Sequence, residues 1–208
     1  MPAWLTASCD RLRSHSQSPW DADDFMEDEY VWASPIGELV SAFVKNGVQT
    51  AETQLIWLMM FAARRALPCW QIYCDTTQPI DTVNAIHDWL VTRQPRDWSR
   101  FTTPAQSSHG GIPIIDCRAC DTGASAGAAA EAAQFIEERK LIYVVYSLSS
   151  ADVALDQSPL QSGNHYRQWF MDVAIPGAYL QRNLTDEEQS AFLDYDLDDV
   201  LRDTQWHD

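Results

Sequence analysis

Apolar residues recur at helical spacing along most of this chain, and the most extended pattern lies within residues 50 to 93. Leu55, Leu58, Met59 and Ala62 repeat at 3.6-residue spacing, and Ile56 and Phe61 make the run apolar almost all round. A helix of that kind is buried against several neighbours. Thr50 is placed to cap its start, and Pro68 should end it by disfavouring helical geometry at Leu67. A second helix follows, with Pro79 near its first position, Asp81 in the positive first turn, and Val83, Ile86, Trp89 and Leu90 along one stripe. The expectation is a helical hairpin that places Leu58, Phe61, Ile86 and Trp89 in one core.

The flanking text reads the same way. Ser34 before Pro35 marks a helix start, Leu39, Val40, Phe43 and Val44 form its stripe, and Gly47 its stop. Residues 94 to 115 carry prolines, Gly110-Gly111 and hydroxyls, predicting a long connection with one helical turn near Trp98. From Asp116 to Lys140 alanine dominates around Gly123 and Gly127, which favours a helix packed very closely on its neighbours. Residues 141 to 155 have the β-branched and aromatic content of a strand, yet Leu141, Val144, Val145 and Leu148 are spaced for a buried helix. No partner strand is evident elsewhere, so helix is preferred.

Gly163 to Ala174 predicts another helix, with Tyr166, Trp169, Phe170 and Val173 on one side and Pro176-Gly177 breaking it. Thr185 and Glu188 have capping-box spacing for a short helix through Leu193. The fold class that follows is all-α: a single-domain irregular helical bundle built around the central helical hairpin. Its expected limits are residues 34 to 208, preceded by an irregular acidic N-terminal segment over residues 1 to 33.

Composition sharpens the functional side. Hydrophobic residues make up 46% of the 208, which places the chain among globular rather than disordered proteins. Lys and Arg total 14 against 30 Asp and Glu, a formal charge of -16. Nucleic acid and anionic membranes are held by Lys and Arg, so neither is an expected partner. A basic protein is the complementary partner, and solubility alone is the plainer account of the charge. The acidic residues concentrate at Asp21, Asp23, Asp24, Glu27, Asp28 and Glu29, and again in the tail at Asp194, Asp196, Asp198 and Asp199. Each stretch is either a solvated face or a partner-binding patch. Nine tryptophans imply buried aromatic area or a contact surface, and Trp169 is the candidate anchor for a partner.

The N-terminal residues hold no apolar core of signal-peptide length, and the longest apolar run, Ile56 to Ala63, is too short to span a bilayer. A cytoplasmic protein is expected, its five cysteines reduced. Cys117 and Cys120 form a CxxC, but tetrahedral zinc needs two more ligands, and Cys69, Cys74, His87 and His109 are not at motif spacing. Buried thiols are the better reading, so no metal and no cofactor are expected. His109-Gly110-Gly111 resembles oxyanion-hole glycines without a GxSxG to supply a nucleophile. Gly123 to Gly127 lacks the lysine of a phosphate-binding loop, and the tail lacks the glycine and terminal glutamate of an EF-hand. No catalytic constellation emerges, and the chain is not expected to be an enzyme.

Arg65-Ala66-Leu67-Pro68, Asp75, Pro79, Ala85-Ile86, Trp89-Leu90 and the alanine-rich stretch Ala124 to Ala133 together carry a family resemblance. In these elements, roughly residues 55 to 150, the chain resembles a helical family of immunity proteins from bacterial polymorphic-toxin systems. The family's histidines in the alanine-rich helices are missing between Arg118 and Ile136. The resemblance implies an all-helical protein that binds and neutralises a cognate protein toxin, with no catalytic residues to transfer. Two other readings remain open from the residues. One is a small helical metal protein or enzyme using Cys117, Cys120 and His109; the other is an acidic adaptor or chaperone for a different basic protein.

Overall fold

Apolar spacing and caps place most of the helices where the sequence puts them. The structure, a computed structural model, describes residues 1–15, 34–47, 50–73, 77–99, 101, 125–126, 128–130, 133, 141–156 and 163–193. In chain order its elements are α1 (Ala3–Ser14), α2 (Pro35–Gly47), α3 (Ala51–Tyr73), α4 (Gln78–Thr92), α5 (Leu141–Asp156) and α6 (Gly163–Trp169). A π-helical turn over Phe170–Ala174, α7 (Ile175–Tyr179) and α8 (Asp186–Ser190) complete it. No strand occurs among the described residues. The protein is all-α, and residues 141–155 are helical.

Helix α3, 23 residues and so about 35 Å long, is the axis of the bundle. It packs against α2, α4, α5, α7 and the π turn. Being surrounded is why it can be apolar on every side: Leu55 through Ala63 are all buried. Leu58, Phe61 and Ile86 share the core, with Trp89 half-buried against it. On the α5 side small residues set the spacing. Ser125 Oγ donates to the Ser147 carbonyl at 2.8 Å, and Ser147 Oγ donates back to the Ser125 carbonyl at 2.9 Å. Two helices can exchange such bonds only if their backbones lie close, which is what the alanine-rich stretch predicts.

The caps follow the sequence at three places. Ser34 Oγ accepts from Gly37 N at 3.0 Å, Pro79 sits in the first turn of α4, and Thr185 with Glu188 makes the full capping box of α8. At Thr50 the hydroxyl instead donates to the Gly47 carbonyl at 3.2 Å, tying the end of α2 to the start of α3.

Three expectations are corrected. Residues 3 to 14, expected to be irregular, form α1. Leu5, Cys9 and Leu12 fall on one face and are buried, and Trp4 meets Phe43 edge-on at 5.4 Å. That stripe is thin, because its middle member is a cysteine. Pro68 does not end α3, which continues to Tyr73. Pro68 has no N–H to give the Arg64 carbonyl, and burial of Cys69 and Trp70 offsets the loss. Pro176 likewise fails to break its helix. The π turn takes up the register just before it, and α7 carries on with Pro176 in its first turn. Gly177 then lets α7 close on its neighbours: a Cβ there would stand 2.5 Å from Leu184 Cδ2 and 3.3 Å from Phe61 Cε2.

Candidate functional site

Phe61, Arg64, Arg65 and Pro68 have the i, i+3, i+4, i+7 spacing of one face of α3. On the rest of that helix the core takes the side chains; on this face they line a pocket of about 360 Å³. His87 of α4 and Trp169 of α6 contribute to its walls. So do Asn183 and Leu184 from the connection after α7, Gln189 of α8, and Leu193. Four separate stretches of chain therefore meet there. The volume lies within the range of small-molecule sites.

The polar groups of the pocket are held to different degrees. Arg65 is committed to structure. It donates through Nη1 to the Gln189 carbonyl and through Nη2 to the Ala191 carbonyl at 2.9 Å, and its guanidinium lies 4.8 Å from the Trp169 ring centroid. Trp169 Nε1 in turn donates to the Glu188 carbonyl at 2.8 Å. These bonds pin α8 to the bundle. His87 Nε2 lies 2.7 Å from Asn183 Oδ1, and with that oxygen as acceptor Nε2 carries the proton. Arg64 differs from both. It is partly buried, and among the described residues it has no hydrogen-bond or ion-pair partner. Burial pushes its affinity for the proton down, while the charge of Asp88 opposes that; Asp88 itself sits 3.5 Å from Arg96. Among the described residues no carboxylate lines the pocket.

The sequence candidates fall elsewhere. Asp23, Asp24, Asp28 and Glu29, and Asp194, Asp196, Asp198 and Asp199, lie outside the described residues. So do Cys117, Cys120 and His109. Trp169, the candidate partner anchor, is 2% exposed in the described structure and borders the pocket rather than the open surface. What the structure adds is the head of the acidic tail: Asp186 and Glu187 are exposed on α8. Glu188 beside them is spent on Arg182, with oxygen–nitrogen distances of 2.6 and 2.7 Å. Cys9 and Cys69 are buried, and burial pushes the Cys9 thiol up to about 11. Among the described residues no group of His, Cys, Asp and Glu could hold a metal ion.

A second buried constellation joins α5 and α6. Arg167 Nε and Nη2 donate to the two oxygens of Asp152 at 2.9 and 3.1 Å, and Nη2 reaches Asp156 at 2.7 Å. With the Arg167 side chain 2% exposed and Asp152 fully enclosed, this ion pair is buried, and neither residue lines the α3 pocket.

Sequence reasoning used Arg65 only as part of a family pattern and passed over Arg64. The signal was present: two adjacent arginines inside a nearly apolar helix must each find a partner or a cavity. No family model matches the chain, and neither a curated protein nor a solved structure does.

Proposed function

We propose that this chain is a binding protein that acts by engaging a basic protein, and that the partner is a cognate bacterial toxin, as the family resemblance implies. The observation that carries the reading is the charge, -16 overall, with nine acidic residues between Asp186 and Asp208 and only Arg202 to oppose them. That excess is more than solubility requires of a chain this size. The anchoring of α8 supports it. Arg65 and Trp169 hold the first turn of the acidic stretch rigidly on the bundle, so Asp186 and Glu187 are presented from a fixed base. A pre-organised acidic surface loses less entropy when a basic partner docks, and opposite charge speeds the encounter.

The direct test is co-expression with the product of the adjacent gene, followed by affinity capture at low salt and a growth assay. The expected result is a stoichiometric complex and relief of toxicity. A harmless neighbour, or one that does not bind at low salt, would remove the toxin reading. Capture of a basic protein without any toxicity would move the function to an adaptor for another basic protein.

A further inference from the structure

The pocket on α3 is a second feature, which shares Arg65, Trp169 and α8 with the base of the acidic surface. In a chain with more than twice as many acidic as basic side chains, the described residues of its lining include two guanidinium groups and an imidazole and no carboxylate. Arg65 has its Nη groups on two backbone carbonyls, and His87 is turned to Asn183. Among the described residues of the lining Arg64 is the cation left to meet a ligand, for it makes no hydrogen bond or ion pair there and is partly buried. Beside it stand Phe61, Pro68, Leu184 and Leu193, an apolar wall continuous with the edge of the core.

We propose that this pocket binds a small organic carboxylate with an aromatic or branched apolar body, and that Arg64 is its charge partner. One uncommitted guanidinium offers one planar fork of donors, which matches the two oxygens of a carboxylate. A phosphate dianion would need further donors, and Arg65 has given its Nη groups to the backbone. The apolar wall takes the body of the ligand, and a volume of about 360 Å³ limits it to a single ring system or an equivalent branched chain. Asn183 and Gln189, both half-exposed or exposed at the pocket, supply amides for a second polar substituent.

The test is a calorimetric titration of the full chain with phenylacetate and indole-3-acetate, set beside phenylacetamide and sulfate. A parallel NMR titration reads the Trp169 indole N–H. Saturable binding of the carboxylates is expected, with the neutral amide and sulfate each weaker by about tenfold or more, since each lacks half of what the pocket recognises. Arg64→Gln should weaken phenylacetate by about the same factor while leaving the affinity for the amide unchanged. Its melting temperature should stay close to the wild type, because among the described residues Arg64 makes no hydrogen bond or ion pair. Three results would overturn the proposal: no saturable carboxylate binding at millimolar concentration, equal binding of acid and amide, or phenylacetate binding unchanged in Arg64→Gln. The comparison of ligands on the wild-type chain keeps the test decisive even if the variant folds poorly. It needs no protein partner, so its failure and that of the binding reading above are told apart.

Discussion

Two arginines of this protein are held in opposite ways, and the difference is set by what surrounds them. Arg167 is enclosed with Asp152 and reaches Asp156, so its charge is balanced inside the bundle by bidentate geometry. Arg64 borders a cavity and has no such balance. Taking two ions out of water is costly, and losing one partner leaves the other stranded. Asp152→Ala should therefore destabilise the fold by about 3 to 5 kcal/mol in urea unfolding. Asp152→Leu combined with Arg167→Met should be markedly less damaging than the single change, because the enclosed arginine goes with its partner and the Asp156 left behind is partly exposed. A loss in the single variant no larger than that of an exposed ion pair would show that water reaches the site. The Arg13 bridges to Asp10 and Asp172, at 2.7 and 2.6 Å, are partly exposed and carry no comparable expectation.

At the scale of elements, α8 shows how a five-residue helix is kept in place. Thr185 and Glu188 close its capping box, Arg182 grips the Glu188 carboxylate, and Trp169 and Arg65 bind its carbonyls. The Arg182 hydrogen bond, and then that from the Thr185 backbone, holds the Glu188 carboxyl down at about 2 against an ordinary 4.5. A carboxyl that ionises more readily when folded adds stability above its unfolded value and loses it as the pH falls through its folded one. The melting temperatures of wild type and Glu188→Gln should therefore differ above pH 4.5 and converge between pH 4.5 and 2. A gap that stays constant across that window would mean that the carboxylate is not held in this way. The box was legible in the sequence, as were Ser34 before α2 and Pro79 in α4, because such signals are local. Pro68 and Pro176 misled for the converse reason. Their cost is local, but the burial that outweighs it comes from α5, α7 and the π turn. Helix α1 was missed because Leu5, Cys9 and Leu12 are too few and too small to stand out. The pocket could not be read at all as a unit, since Phe61, His87, Trp169 and Leu184 meet only in three dimensions.

At the scale of the whole molecule, the described core and the sequence's charge can be set side by side. The core gathers on α3, and no helix among the described residues is long and apolar enough to cross a membrane. In the sequence the net charge concentrates at residues 21 to 29 and from Asp186 onward. The proposed electrostatic role is open to a direct measurement, because Asp-to-Asn and Glu-to-Gln changes remove charge while nearly preserving side-chain shape. The most direct one is the association rate with the captured partner, by stopped flow, at low and at high salt. The variants are Asp194, Asp196, Asp198 and Asp199 changed together to Asn, and separately Asp23, Asp24 and Asp28 to Asn with Glu29 to Gln. Exposed charges are screened beyond about 8 Å at physiological salt, so steering acts on the encounter and fades as salt rises. The account predicts that at least one set slows association several-fold at low salt, with a flatter salt dependence and an unchanged melting temperature. Association of both variants at the wild-type rate, across low and high salt, would contradict it.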